Sequence, residues 1–200
     1  MMQMNSDYPQ PEYQAVLDFW FGIAGSPGYG QERKEWFVKD AAFDAQIRDR
    51  FGALHARALA GELTEWEQAP RSAMALIILL DQFSRNMHRD TASSFAGDTR
   101  ALALARRMVA QGWDAQFAPV LRAFIYLPFE HSEDLAAQEQ ALELFGRLPD
   151  EPYLAGMFEW ARKHHEVIRR FGRFPHRNAI LGRISTPEEE VFLRRPGSRF

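Results

Sequence analysis

Helical periodicity is the feature of this sequence that most restricts its fold. Between residues 43 and 58, apolar side chains recur at steps of three and four, which places them on one face of a helix. The same spacing recurs along most of the chain, and no useful length alternates apolar and polar residues as a half-buried strand does. The sequence therefore predicts an all-α protein.

Capping residues and prolines divide the first half of the chain into helices. A short aromatic helix is predicted after Pro11, over residues 12–21. Asp40 is the predicted N-cap of a long helix that ends at Gly61, and Pro70 opens a helix that is apolar on all sides and therefore central. Asp98 is the predicted N-cap of the following helix.

The next helix is predicted to begin at Pro119 and to stop at Pro128, because proline has no N–H to continue the hydrogen-bond ladder. Ser132 is the predicted cap of the helix that follows, which would place Glu133 and Asp134 in its first turn. A long helix is then predicted to begin at Pro152 and end at Gly172. The final helix has the pattern of a capping box, with Thr186 as the cap and Glu189 three residues on.

A weak internal repeat links two stretches of the chain, residues 43–81 and 95–130. Each runs from a phenylalanine through a glycine and an Ala-Pro pair to an acid, and in this register Asp81 and Glu130 are equivalent. The repeat predicts antiparallel helix pairs stacked as a tetratricopeptide-like, right-handed helical array. We expect one helical domain over residues 1–200, with residues 1–10 as a flexible tail.

Composition limits the function classes. The net charge of −3 argues against nucleic acid as a partner, and the sequence has no cysteine for disulfide or thiol chemistry. The first residues lack the pattern of a signal peptide, and the longest apolar run, 73–80, is far shorter than a bilayer span. We therefore expect a cytoplasmic protein with no membrane partner, and no motif predicts a cofactor or a metal.

Three polar segments adjoin apolar helix ends: "DQFSRN" (81–86), "PFEHSED" (128–134) and "GRFPHRN" (172–178). Asp81 and Arg85 are four residues apart on a helix, so they are predicted to pair. If the segments converge, they form a polar pocket, to which His164 is added because it lies on the apolar face of its helix. The candidate ligand-binding residues are Asp81, Arg85, Asn86, Glu130, His131, His164, Arg173, His176, Arg177 and Asn178.

Three interpretations of these residues remain open at this point. As a binding site, the arginines would hold a small anionic molecule or a peptide, with Trp20, Tyr126 or Phe129 as an apolar wall. As a hydrolase, Glu130 would be the general base and His131 or His176 its acid partner. As a structural ion-pair network, the same groups would only lock helix ends together.

The three segments, "LLDQFSRNMHR" (79–89), "YLPFEHSED" (126–134) and "FGRFPHRNAILGR" (171–183), follow an aromatic "LDFWFG" (17–22). In this order they resemble the bacterial family known as domain of unknown function 924, over nearly the whole chain. The resemblance implies a tetratricopeptide-like helical fold and implies no chemistry. Ser84 departs from the proline expected at its position, which should affect the local turn and not the charges.

Overall fold

Eight α-helices make up most of the chain in the computed structural model, which describes residues 11–198; the predicted tail, 1–10, lies outside these residues. No strand occurs between residues 11 and 198, so the prediction of an all-α protein is confirmed. The helices are α1 (Glu12–Phe21), α2 (Ala41–Ala60), α3 (70–87), α4 (Asp98–Ala110), α5 (Pro119–Glu130), α6 (Leu135–Phe145), α7 (Pro152–Phe171) and α8 (Pro187–Leu193).

The helices pack in chain order around two central members. From α2 to α7 each helix contacts the next, and a second set of contacts joins α1 to α3, α3 to α5, and α5 to α7. Every side chain from residue 73 to 81 in α3 is fully buried, and residues 123–130 in α5 are buried as well. An apolar surface on all sides requires neighbours on all sides, which is why α3 and α5 are central.

Local signals predicted several helix ends correctly. Asp40 Oδ1 accepts hydrogen bonds from the backbone N–H groups of Ala42 and Phe43, and Gly61 ends α2 in the left-handed conformation. Thr186 and Glu189 form the predicted capping box at the start of α8. These motifs depend on residues close in sequence, so tertiary contacts do not have to be known to predict them.

Two predictions around the "PFEHSED" segment are wrong. Pro128 does not stop α5, which continues to Glu130, because a proline in the last turn removes one hydrogen bond while the N–H of His131 still reaches the carbonyl of Leu127 at 2.9 Å. The cap of α6 is Asp134 and not Ser132: Asp134 has extended backbone and its Oδ1 accepts from the N–H of Ala136. Glu133 and Asp134 therefore precede the first turn of α6.

Candidate functional site

The centre of the site is an irregular turn in the central helix α3. Residues Ile78–Phe83 form a π-helical turn, which leaves carbonyl groups available to side chains. The carbonyl of Leu80 accepts from Ser84 Oγ at 2.7 Å, and the carbonyl of Asp81 accepts from Arg85 Nη1 at 3.0 Å. The helix continues past Asp81 to Met87, whereas Glu130, its equivalent in the internal repeat, is the last residue of α5.

Helix α4 approaches this π turn very closely because residue 97 is a glycine. A Cβ atom at Gly97 would lie 2.2 Å from the carbonyl oxygen of Leu80, so any other side chain would push the two helices apart. The close approach brings Asp98, the first residue of α4, to Arg85. Gly97 is the N-cap and the Asp98 side chain makes no capping bond, so the predicted cap role of Asp98 is wrong; its carboxylate binds arginines instead.

Asp81 is fully buried and is surrounded by donors. Its Oδ1 accepts from Arg85 Nη1 at 3.0 Å and lies 2.7 Å from His131 Nδ1, and its Oδ2 accepts from Gln82 at 2.6 Å. Burial raises the pKa of Asp81, but the charges of Arg85 and His131 outweigh it and hold that pKa well below its usual value. Asp81 is therefore a carboxylate, and its predicted pairing with Arg85 is confirmed.

Arg85 and Arg177 share one carboxylate, that of Asp98. Arg85 binds Asp98 through two hydrogen bonds of 2.8 and 3.1 Å, and Arg177 Nη1 lies 3.5 Å from Asp98 Oδ2. Both guanidinium groups also lie over the ring of Phe95, with distances of 5.8 and 4.5 Å to the ring centroid. Segments 81–86 and 172–178, far apart in sequence, therefore converge at the N-terminus of α4.

The protonation pattern of His131 follows from its neighbour. Because ionised Asp81 can only accept, His131 Nδ1 must be the donor in their contact. The ring is 15% exposed, it lines the cleft described below, and Nε2 makes no hydrogen bond to any of residues 11–198. The carbonyl of His131 accepts from Arg177 Nη2 at 3.0 Å, which ties "PFEHSED" to the other two segments.

Glu130 and His164 form a second buried pair. His164 Nδ1 lies 3.0 Å from Glu130 Oε1 and 2.9 Å from the carbonyl of Trp160, and since a carbonyl can only accept, Nδ1 carries the hydrogen. Glu130 Oε2 is buried and accepts no hydrogen bond from residues 11–198. His164 is thus inward, as predicted, whereas Trp160, expected on the same face, remains 45% exposed.

Three of the candidate residues bind partners away from this network. Arg173 forms two hydrogen bonds, of 2.6 and 2.7 Å, to Glu189, and Asn178 donates to the same carboxylate at 3.2 Å. The hydrogen bonds from Arg173 lower the pKa of Glu189 to about 2. Arg173 and Asn178 therefore anchor α8, while Asn86 donates to Asp44 of α2 at 2.8 Å.

A cleft of two adjoining cavities opens beside these residues, and Phe37, Leu127, His131 and His164 line both. The first, which we call the arginine cavity, has a volume of about 400 Å³. Its lining includes Lys39, Asn86, Arg85, Arg89, His176 and Arg177. The second, which we call the aromatic cavity, has a volume of about 630 Å³. Its lining includes Glu32, Glu130, Pro152, Tyr153, Met157 and Trp160.

The apolar wall of the cleft differs from the one predicted. Trp20 and Phe129 are fully buried in the core, and the hydroxyl of Tyr126 donates to Asp114 at 2.7 Å, outside the cleft. Nearness in sequence to the polar residues did not predict which aromatic side chains line the cleft, because successive residues of a helix point to different faces. His176 does line the cleft, where burial and the charge of Arg177 lower its pKa to about 3.

Comparison with known proteins agrees with the sequence motifs. A family model described as bacterial protein of unknown function, DUF924, matches residues 16–197. The chain belongs to the DUF924 family. A solved structure of a protein of unknown function from Agrobacterium tumefaciens is similar to this DUF924 chain, with 40% sequence identity and a TM-score of 0.80. The similarity covers 91% of this chain and 96% of the other. No curated protein matches.

Between residues 11 and 198, no helix combines the length and the apolar character needed to cross a membrane. No group of three or more His, Asp or Glu side chains in the same part of the chain is arranged to hold a metal ion.

Sequence reasoning missed Asp98 and Tyr153. Asp98 had a sufficient local explanation as a helix cap, so its sequence context gave no signal of a second role. Tyr153 and Met157 do share helix α7 with His164, at spacings that place them near one face, and this spacing was a usable signal.

Proposed function

We propose that the cleft binds a small organic anion, or the carboxylate end of a peptide, through Arg177. The observation that carries this proposal is the number of donors that Arg177 leaves unused. A guanidinium has five N–H groups, and Arg177 donates only one hydrogen bond within the described residues, from Nη2 to the carbonyl of His131. Its Nε is buried and has no acceptor there.

The surroundings of Arg177 keep it in position for a ligand. Its guanidinium lies 4.5 Å from the ring centroids of both Phe95 and Phe174, so the side chain is held between two aromatic rings. Burial, followed by the charge of Arg85, lowers the pKa of Arg177 to about 10, which leaves it charged at neutral pH. A bound carboxylate or phosphate would supply further acceptors, and a negative charge in addition to that of Asp98, which Arg177 shares with Arg85.

The neighbouring groups divide into a frame and a binding surface. Asp81, Arg85 and Asp98 satisfy one another, which supports a structural role in holding α3 and α4 together. Lys39 and Arg89 also line the arginine cavity, where each is paired with an acid: Lys39 with Asp90, which lines the cavity as well, and Arg89 with Asp44. The aromatic cavity next to it would hold the apolar part of the same molecule.

Titration calorimetry with 3-phenylpropionate and phenyl phosphate tests the proposal. We expect wild-type protein to bind at least one of them and Arg177→Met to weaken that binding more than tenfold. Arg147→Met, which removes an exposed arginine paired with Glu143, is the matched control and should bind as the wild type does. Absence of binding by wild type, or equal binding by Arg177→Met, would rule the proposal out.

Hydrolysis is a second candidate function, and the contact between Asp81 and His131 favours it. A buried carboxylate that holds Nδ1–H and leaves Nε2 open to a cleft is an arrangement that orients histidine as a general base. The geometry thus supports His131 as the base, in place of Glu130. The test is the rate of p-nitrophenyl butyrate hydrolysis by wild type and His131→Gln, and equal rates would exclude this candidate.

We also infer that the helices stack in the tetratricopeptide-like manner that the internal repeat predicts. The contacts of α1 with α3, α3 with α5 and α5 with α7 support it, because repeat arrays place alternate helices in one row. In such an array α1, α3, α5 and α7 form one row. The cleft then lies where this row meets the segment after α7, and that segment contributes Arg177.

A further inference from the structure

Two buried polar atoms that belong to residues lining the aromatic cavity have no hydrogen-bond partner among residues 11–198. They are Glu130 Oε2 and the hydroxyl oxygen of Tyr153, and both residues line the cavity. Glu130 is only 3% exposed, so its free oxygen is cut off from bulk water. Leaving such groups unsatisfied is costly, and a natural protein that retains them next to a large cavity has a reason to do so.

We infer that the aromatic cavity is a subsite for an organic ammonium group that carries an aromatic or apolar substituent. Glu130 Oε2 accepts one hydrogen bond from the ammonium, and Tyr153 Oη accepts a second one. This inference rests on the proposed function only in taking the cleft to be a ligand site, and it concerns the other half of that cleft.

The charges around the aromatic cavity agree with a cationic group. Its two carboxylates are Glu32 and Glu130, and no lysine or arginine is among the described residues that line it. Burial and the charge of Glu32 raise the pKa of Tyr153, so its hydroxyl stays protonated and can also accept. An anion would meet two carboxylates here, whereas an ammonium would be attracted by both.

The existing contacts of Glu130 determine which of its two carboxylate oxygens receives the ligand. His164 Nδ1, which lies between Glu130 Oε1 and the carbonyl of Trp160, occupies Oε1. Only Oε2 is left, and Tyr153, Met157 and Trp160, which line the same cavity, are large and mainly apolar. The cavity volume of about 630 Å³ is much larger than a small hydrated cation requires and has room for an arylalkylamine.

The ring of Trp160, which lines the aromatic cavity, makes a cation–π contact with a lysine that is not among the lining residues. Lys163 Nζ lies 4.1 Å from the ring centroid of Trp160, a cation–π contact at a ring that is 45% exposed. Tyr153 and Phe37 add further aromatic surface to the same cavity. Aromatic side chains beside a buried carboxylate are the combination that recognises organic amines, since the rings attract the cation and the carboxylate fixes it.

The two halves of the cleft together define the class of ligand. Arg177 in the arginine cavity would take an anionic group and Glu130 in the aromatic cavity an ammonium group, with His131 lining both cavities between them. A molecule that carries both groups and an apolar side chain, of the amino-acid or short-peptide class, would match this order of charges.

The experiment compares 2-phenylethylamine with its uncharged analogue 2-phenylethanol, by calorimetry on the wild-type protein. We expect the amine to bind at least tenfold more tightly than the alcohol, and this comparison requires no variant to fold. Glu130→Gln should reduce amine binding about tenfold and leave the alcohol unaffected. Glu159→Gln removes an exposed acid from the same helix as Tyr153 and is the control for net charge.

Tyr153→Phe removes only the hydroxyl and is the variant to use if Glu130→Gln fails to fold. We expect Tyr153→Phe to lose twofold to fivefold in affinity for the amine. Equal affinity for amine and alcohol, no binding of the amine, or an undiminished affinity in folded Glu130→Gln would each overturn the inference. Binding of 3-phenylpropionate and of phenyl phosphate is measured in parallel. If 3-phenylpropionate or phenyl phosphate binds while the amine does not, only the ammonium subsite is wrong. If the amine binds and neither anion does, the proposed function is wrong.

Discussion

The carboxylate of Asp81 lies 2.7 Å from Nδ1 of His131, a residue fifty positions away in the sequence. This contact joins the π turn of α3 to the end of α5, and Arg85 Nη1 donates to the same oxygen of Asp81. A buried anion is stable only when it is paired and hydrogen-bonded, so the network around Asp81 is the structural base of the cleft.

Asp81→Asn should reduce the free energy of unfolding by about 3–5 kcal/mol, because it breaks a buried ion pair and leaves Arg85 partly unpaired. Urea denaturation measures the loss. Glu143→Gln, which breaks an exposed pair with Arg147, should change it by about 0.5 kcal/mol or less. Similar losses in the two variants would contradict the view that the buried network stabilises the fold.

Arg85→Met and Arg177→Met should differ although both arginines contact Asp98. Loss of Arg85 leaves Asp81 and Asp98 without their shared partner and should cost about 3–5 kcal/mol in the free energy of unfolding. Loss of Arg177 should cost about 1 kcal/mol, because Asp98 keeps Arg85 and the methionine packs between Phe95 and Phe174. Chemical denaturation of both variants tests the order, and a larger cost for Arg177→Met would mean that Arg177 is a structural residue.

Gly97→Ala should destabilise the protein by about 1–3 kcal/mol, since the new methyl group would overlap the carbonyl oxygen of Leu80 and displace α4 from α3. Gly52→Ala is the control, because Gly52 lies inside α2 with no neighbouring atom near its missing Cβ. Gly52→Ala should raise the free energy of unfolding by about 0.5–1 kcal/mol, because alanine has a higher helix propensity than glycine. Melting temperatures that move in the same direction in both variants would refute the close-packing role of Gly97.

Acid should destabilise the protein through His55, which is buried with Nε2 2.8 Å from Ser84 Oγ. Burial, followed by the charge of His88, lowers the pKa of His55 from 6.5 to about 4. The folded state then binds this proton more weakly than the unfolded state, so stability is complete above pH 6.5 and is lost as the pH falls towards about 4.

Melting temperatures between pH 7 and pH 4 measure this dependence. His55→Gln keeps a neutral hydrogen-bonding group beside Ser84 and should make the profile in that range less steep. His176, whose pKa burial and the charge of Arg177 lower to about 3, contributes to the slope that remains. His165→Gln, a change at a half-buried position of α7, should leave the profile as steep as in the wild type. A wild-type melting temperature that does not change between pH 6.5 and 4 would show that His55 is not held neutral.

The parts of the site that depend on neighbours in sequence were predictable. Asp81 and Arg85 are four apart on one helix, so their pairing follows from helix geometry alone. The convergence of Arg85, His131 and Arg177 was expected from the three polar segments, but the residue that joins two of them, Asp98, was not. Its carboxylate reaches them only because Gly97 lets α4 approach the π turn of α3.

The sequence by itself determined the helical class, most helix boundaries and the DUF924 motifs, because periodicity and capping act over one or two turns. Only the tertiary structure decided that Arg173 and Asn178 hold α8 while Arg177 lines the cleft, although all three lie within six residues. It also decided that Glu130 Oε2 and Tyr153 line one cavity. Which side of a loop or helix end faces a cleft depends on how distant elements pack, and that information is not contained in local spacing.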